Sequence, residues 1–228
     1  MIQSLPEAAR TLKPRQWLVL SGVAGLAASL LVGAGEFALH FNPLGGYEDP
    51  HYRFWLSIDE TRLDVGHWLT VFAAPLYLIG YWHLAEMLKP ASRLFGWIFF
   101  LVGAYSFVVG AVWIGQRPFL AWVTQAVAKG EASPVLLSAF ADRNAVLINF
   151  LRAAVAFNSL IWIVLVASGR TWYPRWGVVF APGILLALVF ASYVWLRPLG
   201  LFLVPSAMNV AHGGLFLMSV LRSFSVRS

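Results

Sequence analysis

Apolar residues run through this chain in long stretches, and short polar stretches separate them. Each apolar run is long enough to supply the roughly 20 residues with which a helix crosses a bilayer core. Lipid offers no hydrogen-bond partners, so the backbone of such a run must form its hydrogen bonds within a helix. The pattern therefore predicts an all-α, polytopic membrane helical bundle with six transmembrane helices in a single domain, residues 1–228. The predicted segments are about 16–40, 63–88, 94–116, 144–168, 177–196 and 199–221.

Small residues and prolines predict how these segments pack. Gly22, Gly25, Ser29 and Gly33 form a stripe on the first segment, and Gly96, Gly103, Ser106 and Gly110 form another on the third. Small residues at this spacing let neighbouring helices approach closely. Pro75 lies within the second segment and predicts a kink there.

Two long connections join the predicted segments. Residues 41–62 are rich in Gly, Pro and aromatic residues, and they form either a cap over the mouth of the bundle or an ordinary connector with aromatics at the membrane surface. Residues 118–143 form the second connection, in which 119–129 are predicted as a short helix on the membrane surface. Asn144 is placed to cap the following helix.

Composition and charge narrow the class of protein. Hydrophobic residues make up 60% and charged residues 11% of the chain. The chain has no cysteine, and this absence excludes disulfides, thiolate catalysis and Cys-ligated zinc or iron–sulfur centres. The formal charge is +6, but the basic residues lie between apolar segments, so membrane lipid and not nucleic acid is the expected partner. The positive-inside rule then places both termini in the cytoplasm. The expected location is the plasma (inner) membrane. The residues used are Arg10, Lys13, Arg15, Lys89, Arg93, Arg170, Arg175, Arg222 and Arg227.

Ionisable residues within the apolar segments mark a candidate site, because a charge in lipid is costly unless it faces the bundle interior. Glu36 and His40 are four residues apart and Asp64 and His67 are three apart, so each pair shares a helix face. Imidazole and carboxylate groups suit zinc, iron or manganese. We therefore predict a divalent metal bound by His40, His67 and His212, with Glu36 and Asp64 as catalytic carboxylates.

Three further polar residues are predicted to support this site. Asn149 and Arg152 share a helix face, and Asn209 precedes His212 by three residues. They are expected to orient the metal ligands or to bind an anionic part of a substrate. With these roles the chain is predicted to be a metal-dependent, membrane-embedded hydrolase or lipid-modifying enzyme, in which the metal activates water and one carboxylate is the general base.

The same residues allow other interpretations. In a non-catalytic membrane subunit, Glu36 and Arg152 form a buried ion pair and the histidines bond loop carbonyls. In a haem protein, His212 and either His40 or His67 are axial ligands. In a small-solute or proton-coupled transporter, the ionisable residues form a pathway and the prolines break helices beside it. His83 is expected in an interfacial aromatic belt.

Overall fold

The computed structural model describes residues 14–225, and this part of the chain is helical and contains no strand. Its α-helices are α1 (Pro14–His40), α2 (Glu60–Ala73), α3 (Leu76–Leu88), α4 (Arg93–Ala128), α5 (Pro134–Ala167), α6 (Pro182–Trp195), α7 (Arg197–Leu203) and α8 (Ala207–Ser223). Short 3₁₀ turns cover Arg53–Ser57, Arg175–Phe180 and Val204–Ser206. The all-α prediction is confirmed, while Arg10, Lys13 and Arg227 lie outside the described residues.

Four helical stretches within residues 14–225 are long and apolar enough to cross a membrane. They are α1, α4, α5 and the stretch Arg197–Ser223, which combines α7 and α8. A fifth results if α2 and α3 count as one span. Helix α6 has 14 residues, which extend only about 21 Å against a bilayer core of about 30 Å. By length and composition the described chain therefore provides four or five spans, where the sequence predicted six.

The bend predicted at Pro75 is confirmed, because α2 and α3 meet there at 43°. Proline has no N–H to donate and its ring crowds the preceding turn, so the helix cannot continue straight. The turn is closed by the N–H of Tyr77, which donates to the carbonyl of Ala74 at 3.0 Å. Pro205, in the 3₁₀ turn between α7 and α8, marks a second break.

The predicted connection at 118–143 is wrong, because most of it is helical. Helix α4 continues through Pro118, and α5 begins after Ser133, whose Oγ caps the helix by accepting from the N–H of Val135 at 3.2 Å. Proline costs a helix one hydrogen bond. Leu120 and Ala121 follow it and are almost completely buried, so their packing offsets that loss. Local sequence pattern is overridden here by tertiary contacts.

Glycines let α1 approach α3 and α8 closely. A Cβ atom on Gly25 would lie 2.8 Å from the Cα of Gly80 in α3 and 2.4 Å from Cε1 of Phe216 in α8. A Cβ atom on Gly33 would lie 3.1 Å from the Cβ of Asn209. The small-residue stripe predicted on the first segment is therefore confirmed as the packing face of α1.

The helices form two groups with a gap between them. Helix α1 packs against α2, α3 and α8, whereas α4 packs against α5, α3 and α2 and makes only marginal contact with α1. We call the end with residues 41–59 and the α4–α5 turn the cap end, and the end with the start of α1 and the finish of α8 the terminal end. The gap between α1 and α4 is the place where a cavity forms.

Residues 41–59 fold over the cap end. Trp55 is fully buried, and its Nε1 donates to the carbonyl of Leu39 at 2.9 Å. Gln125 of α4 donates from Nε2 to the carbonyls of Trp55 and Ile58 at 3.0 and 2.9 Å. Of the two interpretations of this segment, the structure shows the cap, and its central tryptophan is part of the core instead of the membrane surface.

Candidate functional site

A cavity of about 320 Å³ lies between α1, α4, α5, α6 and α8. Most of its wall is apolar. Gly110 of α4 is one of the lining residues, and a Cβ atom added to it would have its nearest neighbour, Cδ2 of Leu151, at 4.0 Å, so the position has room for a side chain. The polar residues along the wall include Glu36, His40, Arg117, Asn158, Asn209 and His212. The cavity therefore combines an apolar length with a few ionisable groups.

Glu36 is held by a chain of hydrogen bonds that crosses three helices. Asn209 of α8 donates from Nδ2 to Oε2 of Glu36 at 2.6 Å, and the hydroxyl of Tyr77 in α3 donates to Oδ1 of Asn209 at 2.6 Å. Glu36 itself is 8% exposed. A buried carboxylate without such donors is strongly unfavourable, so Asn209 and Tyr77 both stabilise and orient it.

His40 lies one turn after Glu36 and connects it to Arg117. Its Nδ1 donates to the backbone carbonyl of Glu36 at 3.0 Å, and its Nε2 accepts from Nε of Arg117 at 3.1 Å. Arg117 also donates from Nη1 to Oδ1 of Asn144 at 3.3 Å. Asn144 is thus a buried interior residue of α5, and its predicted role as a helix cap is wrong. Both ring nitrogens of His40 are occupied by protein groups.

Aromatic rings enclose the guanidinium of Arg117. Its Cζ lies 4.4 Å from the ring centroid of Trp55, 5.2 Å from that of Trp113 and 5.6 Å from that of Tyr52. Cations are attracted to the faces of such rings. Among residues 14–225, no carboxylate lies within 4 Å of this cation, since the ion pairs there are Arg53–Asp49 and Lys89–Glu86. The alternative ion pair between Glu36 and Arg152 is therefore also not formed.

His212 lines the same cavity from α8. Its Nδ1 donates to the carbonyl of Met208 at 2.8 Å, and its Nε2 accepts from the hydroxyl of Tyr81 at 2.8 Å. The ring meets Phe107 edge-on, with centroids 5.2 Å apart. Like His40, this imidazole has both nitrogens in use.

Asp64 and His67 do not join this group. Asp64 is exposed. The His67 ring packs against Trp68 and Phe119, at centroid distances of 4.6 and 6.1 Å, and its Nδ1 is buried without a hydrogen-bond partner among the described residues. The structure therefore brings together only the first of the two predicted carboxylate–histidine pairs with His212.

Asn149 and Arg152 lie on an exposed side of α5. Nη1 of Arg152 donates to Oδ1 of Asn149 at 3.0 Å. Arg152 also lines the cavity, together with Phe190 of α6, which is 50% exposed. The cavity thus reaches the outer surface of the bundle between α5 and α6, and Arg152 lies at this mouth.

The residues predicted as metal ligands do not form one donor set. Within residues 14–225, no group of three or more His, Asp or Glu side chains is placed to hold a metal ion. His40 and His212 would each have to give up a protein hydrogen bond before binding a metal or a haem iron. The arrangement gives neither cofactor support, and both stay predictions.

His83 is not at an interface, because it is fully buried near the terminal end. Its Nδ1 donates to the carbonyl of Leu18 in α1 at 2.7 Å, and its Nε2 accepts from the hydroxyl of Ser219 in α8 at 2.7 Å. The hydroxyl of Tyr173 bonds Ser219 Oγ at 2.6 Å. This cluster fixes the terminal ends of α1, α3 and α8 to one another.

Sequence reasoning missed several residues of the site. Arg117 falls between the predicted third segment, which ends at 116, and the predicted connection, which begins at Pro118, so it was given no role. Tyr77 and Tyr81 were given no role in the site, although their four-residue spacing puts two hydroxyls on one face of a largely apolar helix. That spacing was the signal that could have found them.

Comparison with known proteins assigns the chain to a protein family. The model of a family of unknown function, DUF6796, matches residues 18–225. The chain belongs to this family. No curated protein and no solved structure matches it. The matched range includes every cavity residue named above, but the description of DUF6796 gives no activity, so the geometry of the cavity carries the functional argument.

Replacing Asn209 with leucine tests the bonding of Glu36. Asn209→Leu leaves the carboxylate without its donor and Tyr77 without its acceptor, so we expect a loss of about 1–3 kcal/mol in the free energy of unfolding. Denaturant unfolding in detergent measures it. Asn149→Leu is the matched control, because that amide is exposed, and it should change stability by less than about 0.5 kcal/mol. Equal stability of the two variants would contradict the assigned role.

Proposed function

We propose that this DUF6796 protein binds one amphipathic, lipid-like molecule in the cavity and acts on its polar end, as a lipid-modifying enzyme of the membrane. The observation that carries the proposal is a largely apolar cavity of about 320 Å³ with ionisable groups in its wall. Small-molecule sites have volumes of roughly 300–1,000 Å³ and are mostly apolar, with a few placed polar groups. The mouth between α5 and α6 gives a molecule in the bilayer a route into it.

Glu36 is the proposed acid–base group. It is the one carboxylate among the lining residues in the described part of the chain. Asn209 and Tyr77 fix its orientation, and a fixed carboxylate within hydrogen-bond reach of a substrate can transfer a proton without a metal. Metal-assisted hydrolysis, which the sequence predicted, would need a set of at least three ligand side chains around one ion, and residues 14–225 contain no such set.

A small-solute or proton-coupled transporter is the second candidate, because both helix breaks border the cavity. Ala74, beside Pro75, and Pro205 are lining residues. Transporters place broken helices at their substrate sites. In this alternative Glu36 carries a coupling proton, and the bound molecule crosses the membrane unchanged.

We further propose six crossings, with both termini in the cytoplasm and the protein in the plasma (inner) membrane. Tyr193 near the end of α6 donates to Oε2 of Glu48 in the cap at 3.1 Å, while the N–H of Trp172 donates to the carbonyl of Met87 at the terminal end at 3.1 Å. These contacts support a path from one end of the bundle to the other for residues 172–193. The basic residues of the terminal end support the orientation; they are Lys89, Arg93, Arg170, Arg175 and Arg222.

Filling the cavity should block binding. In Gly110→Phe the ring occupies the space that the ligand needs, and the fold should persist because the new Cβ atom has room. We expect crosslinking of a photoactivatable dodecanol probe in nanodiscs to fall about tenfold or more. Val112→Phe is the control, since Val112 is 50% exposed on the same helix. Undiminished crosslinking in Gly110→Phe would contradict binding in this cavity.

Removing the negative charge of Glu36 should stop the reaction while the size and shape of the side chain stay the same. Glu36→Gln keeps an acceptor for Asn209 but cannot exchange a proton in the same way. Nanodiscs with a total lipid extract are incubated with each variant, and mass spectrometry follows the lipids. Wild type and Glu60→Gln, an exposed control, should alter a lipid species that Glu36→Gln leaves unchanged. Unaltered lipids with wild type, together with probe uptake into proteoliposomes, would favour the transporter.

Single cysteines test the orientation, because the chain has none of its own. Ser138 lies near the cap end and Ser168 at the terminal end, and both are exposed. A membrane-impermeant maleimide added to intact cells should label Ser138→Cys, and it should label Ser168→Cys only after permeabilisation. The reverse pattern, or labelling of both from outside, would contradict the proposed topology.

A further inference from the structure

We infer that the molecule in the cavity carries an anionic group, a carboxylate or a phosphate, bound by Arg117, with Arg152 as a second cation at the mouth of the cavity. This inference rests on the proposed function and deepens it by naming the class of ligand. The lining of the described chain contains two guanidinium groups and one carboxylate. The wall therefore keeps a net positive charge even with Glu36 ionised, and an anion would neutralise it.

Arg117 is a half-buried cation whose hydrogen-bond partners are neutral. Nε donates to the imidazole of His40 and Nη1 to the amide of Asn144. Removing a charge from water is costly unless partners in the protein compensate for the lost hydration. A buried charge is therefore usually paired with a charge of opposite sign. The nearby carboxylate of Glu36 is engaged by Asn209 instead. An anionic ligand group supplies a counter-charge in direct contact with the guanidinium, which Glu36 does not.

The surroundings of Arg117 suit planar anions. The rings of Trp55 and Trp113 hold the guanidinium in place, and arginine binds carboxylate and phosphate oxygens through a planar fork of N–H donors. Trp113 also lines the cavity, and its Nε1 is a buried donor with no hydrogen-bond partner within residues 14–225. This unsatisfied donor lies one turn from Arg117, where an anionic oxygen would satisfy it.

Arg152 adds a second cation at the mouth. It lies 18 residues after Pro134, the first residue of α5, so it is about 27 Å along this apolar helix. A cation at such a depth is costly in lipid, and Asn149, its bonded neighbour, is neutral. An anion passing through or resting at the mouth reduces that cost.

The deeper wall favours one orientation of the ligand over the other. Asn158 is 2% exposed, and its Oδ1, a hydrogen-bond acceptor, has no partner among the described residues. Its Nδ2 donates to the carbonyl of Phe99, about 27 Å along α4 from Arg117. An acceptor oxygen repels an anion, so the anionic end belongs near Arg117 and the apolar chain extends toward Asn158.

The test uses photoactivatable probes that share one dodecyl chain and differ in the head group. Dodecanoate, dodecyl phosphate, dodecanol and dodecyltrimethylammonium are titrated onto the protein in nanodiscs of zwitterionic lipid. At least one anionic probe should bind about tenfold more tightly than dodecanol, and dodecyltrimethylammonium should bind most weakly. The stronger of the two anions identifies carboxylate or phosphate as the natural head group.

Two arginine substitutions assign the effect to the site. Arg152→Gln and Arg117→Gln should each lower the affinity for the anionic probe several-fold while leaving dodecanol binding unchanged, which also shows that the variants are folded. Arg143→Gln is the matched control, because Arg143 is exposed on the same helix as Arg152 and bonds the carbonyl of Ala139. Arg152→Gln stays informative if Arg117→Gln fails to fold, since Arg152 is exposed.

The failures of the two proposals are distinguishable. Equal binding of all four probes, or strongest binding of the ammonium probe, would overturn the anionic ligand and leave the amphipathic site intact. Anion binding that falls equally in Arg143→Gln and Arg152→Gln would overturn the assigned site. If none of the probes binds, the proposed function itself fails.

Discussion

A polar side chain buried among apolar helices has no water to bond, so it must find its partner in the protein. This constraint organises the bundle around α1, α3 and α8. The hydrogen bonds from Tyr77 through Asn209 to Glu36 connect these helices toward the cap end, and His83 with Ser219 connects them near the terminal end. Each bond fixes the depth and rotation of one helix against its neighbours, which the uniform apolar surfaces cannot do alone.

The cavity follows from how differently α1 and α4 are packed. Glycine contacts bring α1 against α3 and α8 almost backbone to backbone, as at Gly25 and Gly80. Helix α4 is held at its cap-end half by Gln125, which bonds the cap, and by Arg117, which reaches His40. Before these attachments, in the half of α4 nearer the terminal end, the helix stands away from α1, and Gly110 lines the space that remains. The close contacts of α1 and the hydrogen bonds of α4 thus hold the two helices at separate places, and a cavity remains between them instead of a solid core.

Much of the fold could be predicted from the sequence, but only part of the site. The length of the apolar runs predicted the helices. Pro75 predicted the bend, and the stripe of small residues predicted the packing face of α1. Of the predicted site residues, the structure brings Glu36, His40, Arg152, Asn209 and His212 to one cavity and leaves out Asp64, His67 and Asn149. Periodicity shows which residues share a helix face, but it does not show which neighbour that face meets. Arg117 escaped because tertiary packing continues α4 through Pro118.

The central claim is that the cavity holds an amphipathic molecule with its polar end near Arg117. A crystal structure grown from a lipidic phase, using protein purified without stripping its bound lipids, tests this most directly. We predict one elongated density along α4, with its polar end beside Arg117 and Trp113 and its apolar end toward Asn158. A cavity occupied by ordered water alone, or closed by its own side chains, would contradict the account.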